Sequence, residues 1–369
     1  MSHFKMLIFN WRDIKNPAAG GAEVFTHEVA KRLVEKGHEV TLFTSEFAGC
    51  QKKETIDGVK IIRAGGKYTV YLKAREYYKK YFSKEKFDIV IDEINTVPFF
   101  TPKFVNHGEK VIALIHQLAR EYWLYETPFP VKYVGYCILE DRWLKNYANI
   151  PTITVSNSTE TDLKALGFKQ VYKVPEGINF KPLDTVPEKE EEPTIIYLGR
   201  LTRAKRPDHA IKAYKVVKRQ VPNAKLWIVG DGYLRKKLEK TATEGVKFFG
   251  KVSEQEKIKL LSRAWVLVNP SVREGFGLNI IEANACGTPA VAYDVPGLRD
   301  SVINELTGIL VKENGNIEKL ANAIIKILFN GNLRERLSIN AIEYSKKGFS
   351  WDIVAQEFFK TIERIINKT

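Results

Sequence analysis

Residues 265–293 read WVLVNPSVREGFGLNIIEANACGTPAVAY. The apolar run Trp265–Asn269 predicts a strand covered on both faces. Leu278 to Cys286 predicts a helix, and Ala290–Tyr293 a second strand. Strand, loop, helix and strand in so short a span make a βαβ unit, whose two strands run parallel. The loop Arg273-Glu274-Gly275-Phe276-Gly277 then lies at the carboxyl end of a strand, where open α/β sheets bind ligands. Glu274 sits on that loop, and Glu282 lies one to two turns inside the helix. The amides of Phe276, Gly277 and Leu278 open the helix and suit hydroxyl oxygens or an anion. A strand–turn–helix junction with two solvated glutamates would read the same way, so the spacing of Glu274 and Glu282 alone specifies nothing.

The same alternation extends outward. Met6–Asn10, Glu39–Thr44, Val59–Arg63, Asp88–Ile91, Lys110–His116 and Thr152–Ser156 read as strands, with a helix from Ala22 to Lys36 stopped by Gly37. Pro182, Pro187 and Pro193 with the acidic run Glu188–Glu192 read as an exposed connection. The pattern restarts at Thr194–Gly199, Leu226–Gly230 and Val246–Gly250. Two successive series predict an α/β protein of two doubly wound, Rossmann-like domains facing each other across a cleft.

The chain has 369 residues, 44% hydrophobic and 28% charged, with a net charge of +14. This length buries a core without a staple. Cys50, Cys137 and Cys286 form neither a CxxC pair nor an even framework, which argues against structural zinc and a secreted disulfide scaffold. No apolar run reaches the ~20 residues of a membrane span, and Met1 to Asn10 lacks a signal-peptide pattern. A cytoplasmic protein is expected, at most peripheral on a membrane. The positive charge favours anionic partners.

Three further stretches could carry chemistry. Gly20-Gly21-Ala22-Glu23 opens the first helix, and its free amides suit a phosphate. It is not GxGxxG, so a dinucleotide reading lacks its fingerprint. Gly199-Arg200-Leu201-Thr202-Arg203-Ala204-Lys205-Arg206 puts four cations on a loop after a strand, suited to a pyrophosphate or merely solvated. His116 ends the strand Lys110–His116, where a lone histidine is more often structural.

Glu274-Gly275-Phe276-Gly277 through Glu282-Ala283-Asn284-Ala285-Cys286-Gly287-Thr288-Pro289 resembles the signature of retaining glycosyltransferases of family 4. The resemblance covers essentially the whole chain. It implies the GT-B architecture, with an acceptor-binding domain at 1–174, a nucleotide-sugar domain at 175–350 and a terminal helix at 351–369 that crosses back to the first domain. It implies transfer of a hexose from a nucleotide-diphosphate sugar, such as UDP-glucose or GDP-mannose, to a hydroxyl of a glycan or glycolipid. By the same resemblance Glu274 and His116 lie at the transferred sugar. Arg200 and Lys205 hold the diphosphate, and Glu282 the ribose. Gly20, Gly21, Phe276, Gly277 and Leu278 line the donor.

Val174-Pro175-Glu176-Gly177-Ile178-Asn179 corresponds to the interdomain loop, but has Glu176 where the family usually has Asn. That predicts altered hinge hydrogen bonding. No Asp-x-Asp occurs, so no metal or other cofactor is implied. A nucleotide-sugar epimerase of similar architecture and a basic nucleic-acid-binding protein are the alternatives. The second expects a clustered basic face, whereas the charge here is spread, so no nucleic-acid partner is expected.

One segment invites a membrane reading. Lys60 to Lys86 holds nine basic and two acidic residues and several tyrosines. Its predicted helix, about Val70 to Tyr81, either packs Tyr71, Ala74, Tyr78, Tyr81 and Phe82 on the sheet or rests on an anionic membrane with its tyrosines at the headgroups.

Overall fold

The structure, a computed structural model, describes residues 3–367. The chain divides into two compact units. One comprises residues up to Ala119, Val134–Gly177 and the chain from Trp351; the other comprises Arg120–Tyr133 and Ile178–Ser350.

The first unit is built on an eight-stranded sheet. Its strands are β1 (Lys5–Phe9), β2 (Glu39–Thr44), β3 (Lys53–Ile56), β4 (Val59–Arg63), β5 (Ile89–Glu93), β6 (Lys110–Ile115), β7 (Thr152–Thr154) and β8 (Val171–Lys173). The order is β3-β4-β2-β1-β5-β6-β7-β8. Only the β3–β4 pair is antiparallel. Strand order reverses between β1 and β5, so the loops after these strands part there and leave room for a ligand. The helix Gly21–Glu35 buries Phe25, Val29, Ala30 and Leu33. The last helix, Trp351–Asn367, packs within this unit: Phe25 meets Phe358 edge-on, ring centres 6.0 Å apart.

The second unit is a parallel sheet of β9 (Thr194–Leu198), β10 (Lys225–Val229), β11 (Val246–Gly250), β12 (Val266–Asn269), β13 (Ala290–Tyr293) and β14 (Gly308–Val311). Its order, β11-β10-β9-β12-β13-β14, reverses between β9 and β12. Ile195, Ile196, Val266, Leu267 and Val268 are all buried, as a sheet covered on both faces requires.

Three strands lie outside the sequence expectation. β3 is polar and at an edge, β8 has three residues, and β14 is a short apolar run that periodicity cannot assign. Two Rossmann-like units were expected and are present. Nothing in the pattern set Arg120–Tyr133 apart: it follows β6 in the chain, yet it packs with the second unit.

The helix Val70–Lys80 follows the packing alternative. Val70, Ala74, Tyr78 and the neighbouring Phe82 are core. Tyr81, expected on the same face, lies just past the helix end and stays exposed, as do Tyr68 and Leu72. The aromatic side chains that a membrane reading needs at the surface, Tyr78 and Phe82, are 1% exposed.

Candidate active site

In the second unit the site grows from the two loops flanking the strand-order reversal. After β9 the chain enters Gly199–Arg206. Tyr197, on β9, holds that loop by donating to the Arg200 carbonyl at 3.0 Å. After β12, Asn269 positions Ser271 by accepting from its amide at 3.1 Å. Ser271 Oγ donates to Glu274 Oε1 at 2.8 Å, and the other oxygen of Glu274 pairs with Lys205 Nζ. Thus Lys205 and Glu274, from two different loops, form one charged pair at the reversal point.

The pair is largely buried, which disfavours the Lys205 ammonium. The Glu274 carboxylate outweighs that and raises its pKa. Arg200 is exposed beside it.

Gly277 adopts φ 83° ahead of the helix Leu278–Ala285, so the helix's first amides follow directly on the Glu274 loop. Asn279, which the sequence reading passed over, accepts from Asn269 at 3.1 Å and donates to the Leu198 carbonyl at 2.7 Å. It ties this helix start to the end of β9. Inside the helix, Glu282 accepts from Lys257 Nζ at 2.6 Å, and Lys257 also meets Glu254 at 2.9 Å. Lys257 was equally invisible in the sequence, because it lies on a separate helix, Glu254–Arg263.

In the first unit the ends of β5 and β6 and the start of the first helix converge. His116, just after β6, places Nδ1 3.1 Å from Glu176 Oε1 and Nε2 3.6 Å from Glu93 Oε1. Glu93 Oε2 accepts from Thr26 Oγ1 at 2.5 Å. Burial opposes the imidazolium, but the two carboxylates outweigh it and push the His116 pKa up to about 9. Burial pushes Glu93 up in turn, against the pull of His116.

Asp92, the neighbour of Glu93, is fully buried and accepts from Phe99 N, Thr101 N, Thr101 Oγ1 and Tyr147 OH at 2.5–3.1 Å. It anchors the loop beyond β5. Glu176, expected to alter hinge hydrogen bonding, therefore faces His116. Glu93 was not singled out from sequence, although two acids closing the run IVIDE were the available signal.

The Gly20-Gly21 turn is placed differently from a bare phosphate cradle. The Gly20 amide donates to Glu23 Oε2 at 2.6 Å, and Glu23 Oε1 accepts from Arg12 Nε at 2.9 Å. Gly21 faces Glu176: a Cβ there would lie 3.9 Å from Oε2. The turn thus lies between two paired carboxylates, Glu23 with Arg12 and Glu176 with His116.

Residues 19–181 match the family described as Glycosyltransferase Family 4, and residues 183–344 match Glycosyl transferases group 1. The chain belongs to this glycosyltransferase family. An uncharacterized glycosyltransferase of Methanocaldococcus jannaschii is 28% identical over 92% of this chain and 93% of its own. Among solved structures, the fold is similar to sucrose-phosphate synthase of Thermosynechococcus elongatus (TM-score 0.81, 22% identity, all of both chains). It is also similar to Anabaena HepE in complex with UDP-glucose (TM-score 0.70, 15% identity, 98% of this chain and 100% of that one). The architecture is that of GT-B glycosyltransferases. Among the described residues no helix is long and apolar enough to cross a membrane. No group of three or more His, Cys, Asp or Glu side chains there could hold a metal ion.

Proposed function

We propose that this glycosyltransferase moves a hexose from a nucleotide-diphosphate sugar to a hydroxyl of a glycan or glycolipid precursor, with retained anomeric configuration. The observation that carries the reading is the Lys205–Glu274 pair, held by Ser271 at the carboxyl ends of β9 and β12. A phosphate-seeking cation and a hydroxyl-seeking carboxylate side by side match the junction of a sugar with a diphosphate.

Arg200 and Lys205 hold the diphosphate and stabilise charge on the departing β-phosphate. Glu274 binds sugar hydroxyls, helped by the amides of Phe276, Gly277 and Leu278, and Glu282 takes the ribose hydroxyls. His116, charged between Glu93 and Glu176, offers a donor to the transferred sugar. Gly20 and Gly21 contribute to donor binding through the turn that opens the first helix.

The bond from the anomeric carbon to the β-phosphate oxygen breaks as the acceptor oxygen bonds to the same face. The acceptor proton passes to the leaving phosphate. Such a front-face route needs no carboxylate nucleophile, so Glu274 positions rather than attacks. Arg200 and Lys205 supply the neutralising charge without a metal.

A thermal-shift panel of UDP, GDP, ADP and their sugars tests the reading. A ligand at ~100 times its Kd adds about 2.7 kcal/mol of stability, an easily measured rise in Tm. Conversion of a sugar nucleotide without acceptor would instead indicate epimerisation. No shift with any sugar nucleotide would overturn the reading.

A further inference from the structure

The segment Arg120–Tyr133 comes from between β6 and β7, but packs within the second unit. Its side chains run along the basic loop after β9. Glu126 accepts from the Ala204 amide at 2.7 Å and from Tyr233 OH at 2.8 Å. Tyr125 OH accepts from Arg206 Nη2 at 2.6 Å. Glu121 pairs with the buried Arg273, the residue before Glu274, at 2.6 Å. These ties hold the short helix Glu121–Glu126 against both loops that carry the Lys205–Glu274 pair.

They also fix Tyr122. Lys205 Nζ lies 5.7 Å from the centre of its ring. The hydroxyl is buried and makes no hydrogen bond of good geometry. Its charged neighbours are Lys205, Glu274 and Arg200. Burial keeps the hydroxyl protonated, against the opposing pull of the Lys205 ammonium. A buried hydroxyl left unmatched is costly, and almost all such groups in proteins find a partner. Here the groups around it are those assigned above to the donor.

We infer that Tyr122 is a donor-binding residue whose hydroxyl donates to the terminal phosphate of the nucleotide diphosphate beside Lys205, with Glu121 and Glu126 as the positioning residues that hold it there. This rests on the donor-site reading of Lys205 and Glu274. A segment belonging by sequence to the other unit's half of the chain thus completes the donor site.

The test is titration of the full chain with UDP and GDP and with UMP and GMP, comparing wild type, Tyr122→Phe, Glu126→Ala, the double variant and Lys205→Ala. The expected result for Tyr122→Phe is a Tm no lower than wild type, since the unmatched hydroxyl is gone, and about tenfold weaker diphosphate binding, as for a lost hydrogen bond to a charged group, with monophosphate binding unmoved. Glu126→Ala should show the same selective loss, and the double variant little more, because the two act through one contact. If Tyr122→Phe binds diphosphates as wild type does while Lys205→Ala does not, Tyr122 is packing alone and the inference fails with the donor site intact. If wild type binds neither diphosphate, the donor reading fails and takes this inference with it.

Discussion

Sixty positions apart in the chain, His116 and Glu176 meet with imidazole Nδ1 3.1 Å from carboxylate Oε1. Glu93 flanks the ring on the other side, and Glu23 is neutralised by Arg12. The folded protein therefore holds His116 charged well above the ordinary histidine range. A raised folded-state pKa contributes stability that is complete below about 6.5 and lost as pH rises through about 9. The elevation corresponds to roughly 3 kcal/mol. Tm should fall between pH 6.5 and 9.5 in wild type, and fall less in Glu176→Gln, which removes one of the two opposing charges. A flat wild-type Tm across that window would show that the imidazole is neutral.

Lys257 and Glu282 make a second buried pair. Burial opposes the Lys257 ammonium, and Glu282 outweighs it and raises its pKa. Lys257→Met removes the ammonium that pairs with the Glu282 carboxylate and should cost about 1–3 kcal/mol. Glu282→Gln in the same chain should recover part of that loss, because an amide is cheaper to bury than a charge. Denaturant titration of the two single variants and the double one measures the coupling. Additive losses would mean that the pair contributes nothing as a pair.

The fold was legible because buried parallel strands announce themselves as apolar runs. Met6–Phe9, Ile89–Ile91 and Val266–Val268 needed no tertiary information. Lys205 and Glu274 were legible as types on loops at strand ends, but their pairing across 69 residues was not. Glu93, Lys257 and Tyr122 share one reason for escaping notice: each acts on a group from a distant element, and no local spacing encodes that. Glu176 stood out in the sequence, but its pairing with His116, 60 positions away, did not. Arg120–Tyr133 was hidden for a related reason. Its partners are Arg206, Arg273, the Ala204 amide and the Tyr233 hydroxyl of the second unit, and such contacts leave no period in a sequence.

Glu274→Ala should lower transfer by about 100-fold or more, the scale of losing a group that orients the reacting sugar. Nucleotide-diphosphate binding should be largely retained, because Lys205 and Arg200 remain. Arg200→Ala and Lys205→Ala should instead weaken donor binding by about 1.5–3 kcal/mol each. EDTA should leave wild-type turnover unchanged. Turnover by the Glu274 variant near that of wild type, or inactivation by EDTA reversed with metal, would contradict these roles.

Gly297 bears on the same loop through backbone geometry. It adopts φ 83°, and a Cβ there would lie 2.1 Å from the Glu274 carbonyl oxygen. The Glu274 amide also donates to the Pro296 carbonyl at 3.0 Å. Gly297→Ala must therefore move the Glu274 loop or strain its own backbone, at a cost on the order of 1–3 kcal/mol. Activity should fall more than nucleotide binding does, since the displaced group is Glu274. A variant with wild-type Tm and turnover would show that the loop yields freely.

The helix Val70–Lys80 separates a packing role from a membrane role by variants on its two sides. Tyr78 OH donates to the buried Glu109 carboxylate and accepts from the Asn106 amide at 3.0 Å, while Glu109 also takes the Phe87 amide at 2.9 Å. Tyr78→Phe should therefore destabilise the protein by about 1–3 kcal/mol, the cost of stripping a buried acceptor and donor of their partner. Lys73, Lys79, Lys80 and Lys84 lie in or just beyond the helix, and only Lys73 pairs with an acid of the same helix, Glu76. Changing all four to Glu should leave the core packing of Val70, Ala74 and Phe82 intact. Salt-sensitive binding of wild type to anionic vesicles, lost in that fourfold variant, would give the exposed Tyr68, Leu72 and Tyr81 a lipid-facing role. Equal binding by both proteins, or none by wild type at low salt, would leave the helix as cover for the sheet around Phe9, Phe43 and Val90, and would point to an acceptor that reaches the enzyme from solution.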